Sequence, residues 1–178
     1  AARNIAASLR PPVFGVAITY LGTAVDLAAL CRRTGAAAVQ LHGPIKVEES
    51  RRLRAVSPGL FVVKTLAVRG GCFDVLAGEV DLLASVVDAF LTDTFDVGTG
   101  RWGATGKTHD WSVSRRLVER SPRPVILAGG LTPENVARAI AEVRPAGVDA
   151  HTGLEDASGR KDPDLMKRFV AEARRAFA

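Results

Sequence analysis

The chain alternates, almost without exception, between short apolar runs and longer amphipathic stretches. The apolar runs are residues 13–18, 37–41, 61–66, 86–91, 124–128 and 147–150. They are rich in Val, Ile, Leu and Phe and nearly continuous, the pattern of strands buried on both faces in a parallel sheet. Residues 24–33, 47–55, 73–83, 111–119, 133–142 and 163–177 carry apolar side chains at helical spacing, with charge on the outer side. Thr132-Pro133-Glu134 predicts a helix start, with a hydroxyl cap, proline at the first position and an acid in the first turn; Asp162-Pro163 repeats it. The alternation implies βα units with right-handed crossovers. An open doubly wound sheet would carry a dinucleotide-type glycine fingerprint after one strand, and none is present. Glycine-rich and polar turns instead follow several strands: His42-Gly43, Arg69-Gly70-Gly71, residues 98–106, Gly129-Gly130 and Thr152-Gly153. Chemistry spread over many strand ends points to a (βα) barrel-type α/β fold in a single domain, 1–178. It has about six βα units, so the barrel is incomplete, and residues 3–9 open the chain as a helix.

Composition narrows the function. The 24 Lys and Arg against 19 Asp and Glu leave a net charge of +5. The arginines are dispersed in pairs (Arg32-Arg33, Arg51-Arg52, Arg115-Arg116, Arg174-Arg175) on helical stretches, without interleaved aromatics to stack bases. Nucleic acid is therefore excluded as a partner, and an anionic small molecule fits the surplus better. Two cysteines, Cys31 and Cys72, exclude a disulfide scaffold or a cysteine zinc cluster and fit a reducing cytoplasm. No apolar run reaches the ~18–20 residues of a membrane span, and the opening residues lack a signal peptide's apolar stretch.

Four segments carry chemistry. In Leu127-Ala128-Gly129-Gly130-Leu131-Thr132-Pro133, paired glycines before a helix start let main-chain amides approach an anion; a tight turn that needs glycine reads equally well. Residues 98–108 end in Gly106-Lys107-Thr108 but lack the first glycine of a nucleotide P-loop, since Arg101 occupies that place; they read as a lid. Asp93 closes the run Ala89-Phe90-Leu91-Thr92-Asp93, where a carboxyl beside an apolar wall has a raised pKa and suits a general acid, or else caps a turn. Asp149 ends another strand, two residues before His151, and the same two readings apply. The three histidines, His42, His109 and His151, have no metal-ligand spacing.

These motifs, in this order, resemble the phosphoribosylanthranilate isomerase family of tryptophan biosynthesis. The likeness runs through Val39-Gln40-Leu41-His42-Gly43, Val63-Lys64 and Asp88 to Thr94, then Thr105 to Trp111, Leu127 to Val136, Gly147-Val148-Asp149 and Gly153-Leu154-Glu155. It implies an eight-stranded barrel whose strands three to eight match the six runs, with the first strand, first helix and second strand lacking a counterpart. It also implies an Amadori-type aldose–ketose isomerisation of N-(5'-phosphoribosyl)anthranilate with neither metal nor organic cofactor. Asp93 matches the family's general acid. The family's cysteine base lies in the stretch without a counterpart, as does the arginine that seats the anthranilate. Cys72, after the third run, is the substitute base, or else the apolar start of a helix. Substrate and phosphate fall to His42, Gly106, Gly129, Gly130, Asp149, His151, Thr152 and Gly153. His151-Thr152-Gly153 replaces the family's two serines and glycine, Gly103-Ala104 replaces a pair of glycines, and His109 replaces a phenylalanine.

Two other functions compete: a non-catalytic phosphosugar-binding or scaffold protein, and an isomerase of a different phosphorylated substrate using Cys72 or His151 as base. Six strands also leave two open edges, beside residues 13–18 and 147–150. These are expected to be covered by another copy, another chain or a missing N-terminal segment.

Overall fold

The computed structural model describes residues 1–69, 71–96, 101–102 and 108–178, with the side chains of 95, 96, 101 and 102 left undescribed. The elements run α1 (Ala2–Ser8), β1 (Val16–Thr19), α2 (Ala24–Thr34), β2 (Ala38–Leu41), α3 (Val47–Val56) and β3 (Phe61–Val68). They continue with α4 (Phe73–Leu83), β4 (Ala89–Asp96), β5 (Arg101–Trp102), α5 (Trp111–Arg120) and β6 (Val125–Leu127). Last come α6 (Val136–Val143), β7 (Gly147–Val148), a short 3-10 turn (Thr152–Leu154) and α7 (Pro163–Phe177). Strand order is β1-β2-β3-β4-β6-β7, with β5 paired antiparallel to β4. The alternating βα units and the parallel six-stranded sheet are as the sequence predicts.

Local chemistry places the helix starts. Thr23 Oγ1 accepts the Asp26 amide at 3.3 Å ahead of α2. Asp110 accepts the Ser112 amide at 2.9 Å ahead of α5. Asp162 accepts the amides of Asp164 and Leu165 ahead of α7, with Pro163 at the first position.

The residues form two compact units, Ala1–Thr65 with Val80–Phe90, and Leu66–Glu79 with Leu91–Ala178. In the first, β1, β2 and β3 pair in parallel, Val16 opposite Ala38 and Ala38 opposite Phe61. Leu27, Ala28 and Cys31 of α2 are buried, and burial pushes the Cys31 thiol pKa up. Arg54 of α3 reaches the carbonyls of Val86 and Leu60 and pairs with Asp88, which also accepts the Val62 amide at 2.7 Å. The second unit has a core of Trp111, Leu127, Leu131, Val136, Ala139, Ile140, Val143, Leu154, Phe169 and Ala173.

Three expectations need correction. The first run is a four-residue strand, and its faces are not both buried: Val16 and Ile18 are exposed, as are Val13 and Phe14 before it. β1 stands at the end of the strand order, so it pairs on one side only. The run 86–91 starts later and continues to Asp96, so Asp93 lies within β4 rather than at its end. Thr92 and Thr94 are buried, and Thr92 O accepts the Ala128 amide at 2.8 Å across to β6. Finally, α6 begins at Val136 rather than Pro133. The hydroxyl of Thr132 does accept the Glu134 amide at 3.2 Å, but it closes a polar turn in which Asn135 Oδ1 accepts the Thr132 amide at 2.9 Å.

Candidate active site

A cleft in the second unit is lined by Asp93, Ala128, Gly129, Gly130, Leu131, Asp149, His151 and Thr152. Three strands supply it, because β4, β6 and β7 are parallel neighbours whose C-terminal ends point the same way. The half-buried Asp93 comes from β4, and its Oδ1 accepts the Thr94 amide at 2.7 Å. Gly129 and Gly130 follow β6 after Ala128, both with left-handed backbone, at φ 90 and φ 62. A β-carbon on Gly129 would collide with Thr94 Oγ1 and lie 3.1 Å from His109 Nδ1. Only glycine fits, for both conformation and space. Asn135 Nδ2 donates to the Gly130 carbonyl at 3.0 Å and ties the turn to the start of α6.

After β7, the Asp149 amide donates to Leu127 O at 2.9 Å, which sets Asp149 at the mouth of the cleft. His151 and Thr152 follow, and the next residue, Gly153, packs against the Leu131 main chain. His151 Nδ1 lies 3.3 Å from Glu155, whose carboxylate also takes the Lys161 ammonium at 2.7 Å. The Lys161 hydrogen bond, more than any other contact, holds Glu155 below the usual carboxylate range. The opposed glycine turns and the Thr152 hydroxyl form a concave, polar surface suited to a phosphate.

The structure therefore brings together six of the residues singled out from sequence, Asp93, Gly129, Gly130, Asp149, His151 and Thr152. Gly153 lies directly behind. Gly106 and most of the lid segment fall outside the described residues. Within that segment, Trp102 and Arg101 pair with Phe95 and Asp96, a short antiparallel hairpin that the glycine-rich composition did not announce. His42 belongs to the first unit, where it is buried, 3.5 Å from both Gln40 and Thr65 and edge-on to Tyr20. Cys72 is buried just before α4, with its Sγ accepting the Arg69 amide at 3.2 Å. Leu131 and Ala128 line the cleft and were not foreseen. Neither carries reactive chemistry, and the signal for both was their place beside the glycine pair.

Known proteins share this sequence pattern and fold. The sequence profile described as N-(5'phosphoribosyl)anthranilate (PRA) isomerase matches residues 22–172. The chain belongs to the phosphoribosylanthranilate isomerase family. A curated relative, N-(5'-phosphoribosyl)anthranilate isomerase 2 of Methanosarcina mazei, is 41% identical over 179 residues, covering 99% of this chain and 76% of the relative. The solved phosphoribosylanthranilate isomerase of Thermotoga maritima superposes with a TM-score of 0.80 at 32% identity, covering 97% of this chain and 78% of that one. A further isomerase structure, in complex with reduced 1-(o-carboxyphenylamino)-1-deoxyribulose 5-phosphate, superposes with a TM-score of 0.77 at 29% identity, covering 97% and 77%. The barrel-type fold expected from the strand-end chemistry is thus the fold of this family. Among the described residues no group of His, Cys, Asp and Glu is placed to hold a metal ion, and no helix is long and apolar enough to cross a membrane.

Proposed function

We propose that this isomerase-family chain opens the ribosylamine ring of N-(5'-phosphoribosyl)anthranilate and isomerises it to the ketose, a step of tryptophan biosynthesis, in the cytoplasm. The observation that carries this reading is the shared cleft: the Asp93 carboxyl stands with the left-handed pair Gly129-Gly130 and with Thr152. The phosphate is held by main-chain amides at Gly129, Gly130 and Gly153, assisted by the Thr152 hydroxyl, with His151 and Asp149 at the rim.

Asp93, protonated, gives its proton to the ring oxygen as the C–O bond breaks and the nitrogen lone pair forms the Schiff base. A base then removes the C2 proton, and the electrons move into an enolamine that tautomerises to the ketose. Cys72 is proposed for that base. Its burial and its place before α4 also suit a helix-capping thiol, so Cys72→Ala decides the matter: lost turnover with intact fold supports the role, and unchanged turnover assigns the base to other residues.

The direct test is turnover of the fluorescent anthranilate ribose phosphate by the chain, with Asp93→Asn as control. Phosphate-ester binding without turnover favours the non-catalytic phosphosugar binder instead. The exposed apolar residues Val16, Ile18 and Tyr20 around β1 support a second copy, or further chain, covering that edge. A solution mass above 18.8 kDa is the expected outcome for self-association.

A further inference from the structure

We propose that His109 is a positioning residue for Asp93, acting through Thr94. The inference rests on the reading of Asp93 as general acid. His109 sits just before α5, and its ring bridges two buried hydroxyls: Nδ1 lies 3.1 Å from Thr94 Oγ1 and Nε2 lies 2.7 Å from Ser114 Oγ. Ser114 belongs to the first turns of α5 and Thr94 to β4, so one ring ties helix to strand.

Thr94 is held at two points. Its hydroxyl meets His109, and its amide donates to Asp93 Oδ1 at 2.7 Å, which orients one carboxylate oxygen. The packing leaves no slack. A β-carbon at Gly129 would strike Thr94 Oγ1, come within 3.0 Å of the Thr94 amide nitrogen and lie 3.1 Å from His109 Nδ1. A shift of the ring therefore moves Thr94, and Thr94 moves both the carboxyl and the glycine turn that share the cleft.

The chemistry of the bridge suits a neutral imidazole. Such a ring offers one donor and one acceptor, and a hydroxyl answers either. Burial favours that form, lowering the His109 pKa from its usual 6.5 to about 4. Phenylalanine fills the same space but leaves two buried hydroxyls without this partner, whereas glutamine again supplies a neutral donor and acceptor.

The test compares His109→Phe with His109→Gln in steady-state turnover, alongside Asp93→Asn and thermal melts. Phe is expected to lower kcat about five- to tenfold with KM within threefold, the size of one lost neutral hydrogen bond, and Gln to restore kcat to within about twofold. Thr94→Val should match Phe. Unchanged kcat in His109→Phe, or equal losses in Phe and Gln, overturns the proposal. Full activity in Asp93→Asn overturns instead the reading it rests on.

A second measurement does not need turnover. Long-range proton–nitrogen NMR of the histidine rings at pH 7, with His109 assigned by its loss in His109→Gln, should show one protonated and one bare nitrogen. Thr94→Val should shift Nδ1 and Ser114→Ala should shift Nε2. Two averaged nitrogens, insensitive to both variants, overturn the bridge.

Discussion

Gly153 lies so close beneath Leu131 that a β-carbon on it would collide with the Leu131 carbonyl oxygen and approach Thr132 Cγ2 to 2.9 Å. The turn after β7 is in this way fitted against the turn after β6, main chain to main chain. The obstacle is backbone, which cannot rotate aside as a side chain can.

Gly153→Ala is therefore expected to push the two turns apart and weaken phosphate-ester binding by at least tenfold, with a destabilisation of about 1–3 kcal/mol. Calorimetric titration with a ribose 5-phosphate analogue, beside a urea melt, measures both. Binding within twofold of the parent would mean that the turns do not jointly hold the phosphate.

Asp93→Asn keeps the shape of the side chain and removes its titratable proton. General acids typically contribute about 10²–10⁴-fold, so kcat should fall by at least about a hundredfold while phosphate affinity stays near the parent value. A loss confined to KM would assign Asp93 to binding alone.

His109 makes stability depend on pH. Its folded pKa of about 4 lies below the ordinary 6.5, so between those values the unfolded chain binds a proton that the folded chain refuses. Stability is full above about pH 6.5 and declines as pH falls toward 4, by up to about 3 kcal/mol. His109→Phe lacks this contribution. Unfolding free energies at pH 7, 5.5 and 4.5 should show the parent losing ground against the variant, and parallel curves would contradict the buried neutral ring.

Arg54 and Arg52 both pair with a carboxylate, yet their removal should differ. Arg52 is largely exposed and its pair with Glu49, at 2.6 Å, lies one helical turn away. Arg54 is mostly covered and satisfies two main-chain carbonyls besides Asp88. Arg54→Met should cost about 2–3 kcal/mol, since it strands those carbonyls and Asp88, and Arg52→Ala no more than about 0.5 kcal/mol. Denaturant midpoints compare the two.

Much of the site was legible because its signals are local. The pair Gly129-Gly130 announced a turn that only glycine can make, and Asp93 stood out as a charge after an apolar run. Their meeting in one cleft followed once the strands were read as parallel. His109 was noted as a departure but not as a bridge, because its partner Thr94 is 15 positions away and belongs to a strand whose length the sequence understated. The triplet Thr92-Asp93-Thr94 lies beyond the apolar run 86–91, and the Ala128 amide donates to Thr92 O within the sheet. At α6, the signal in Thr132-Pro133-Glu134 served a turn closed by Asn135 rather than a helix cap.

What the amino-acid order determined by itself was periodicity and punctuation: six apolar runs, the intervening helices, the capping at Asp162, and the glycine turns. These depend on neighbours within a few positions, where spacing and backbone preference suffice. Tertiary structure decided which faces are covered, leaving Val16 and Ile18 exposed on a strand apolar enough to be buried. It also decided which hydroxyls surround His109, and that Gly153 rests on Leu131. Burial and pairing arise between residues remote along the chain, and a list of side chains does not contain that geometry until the strands are in register.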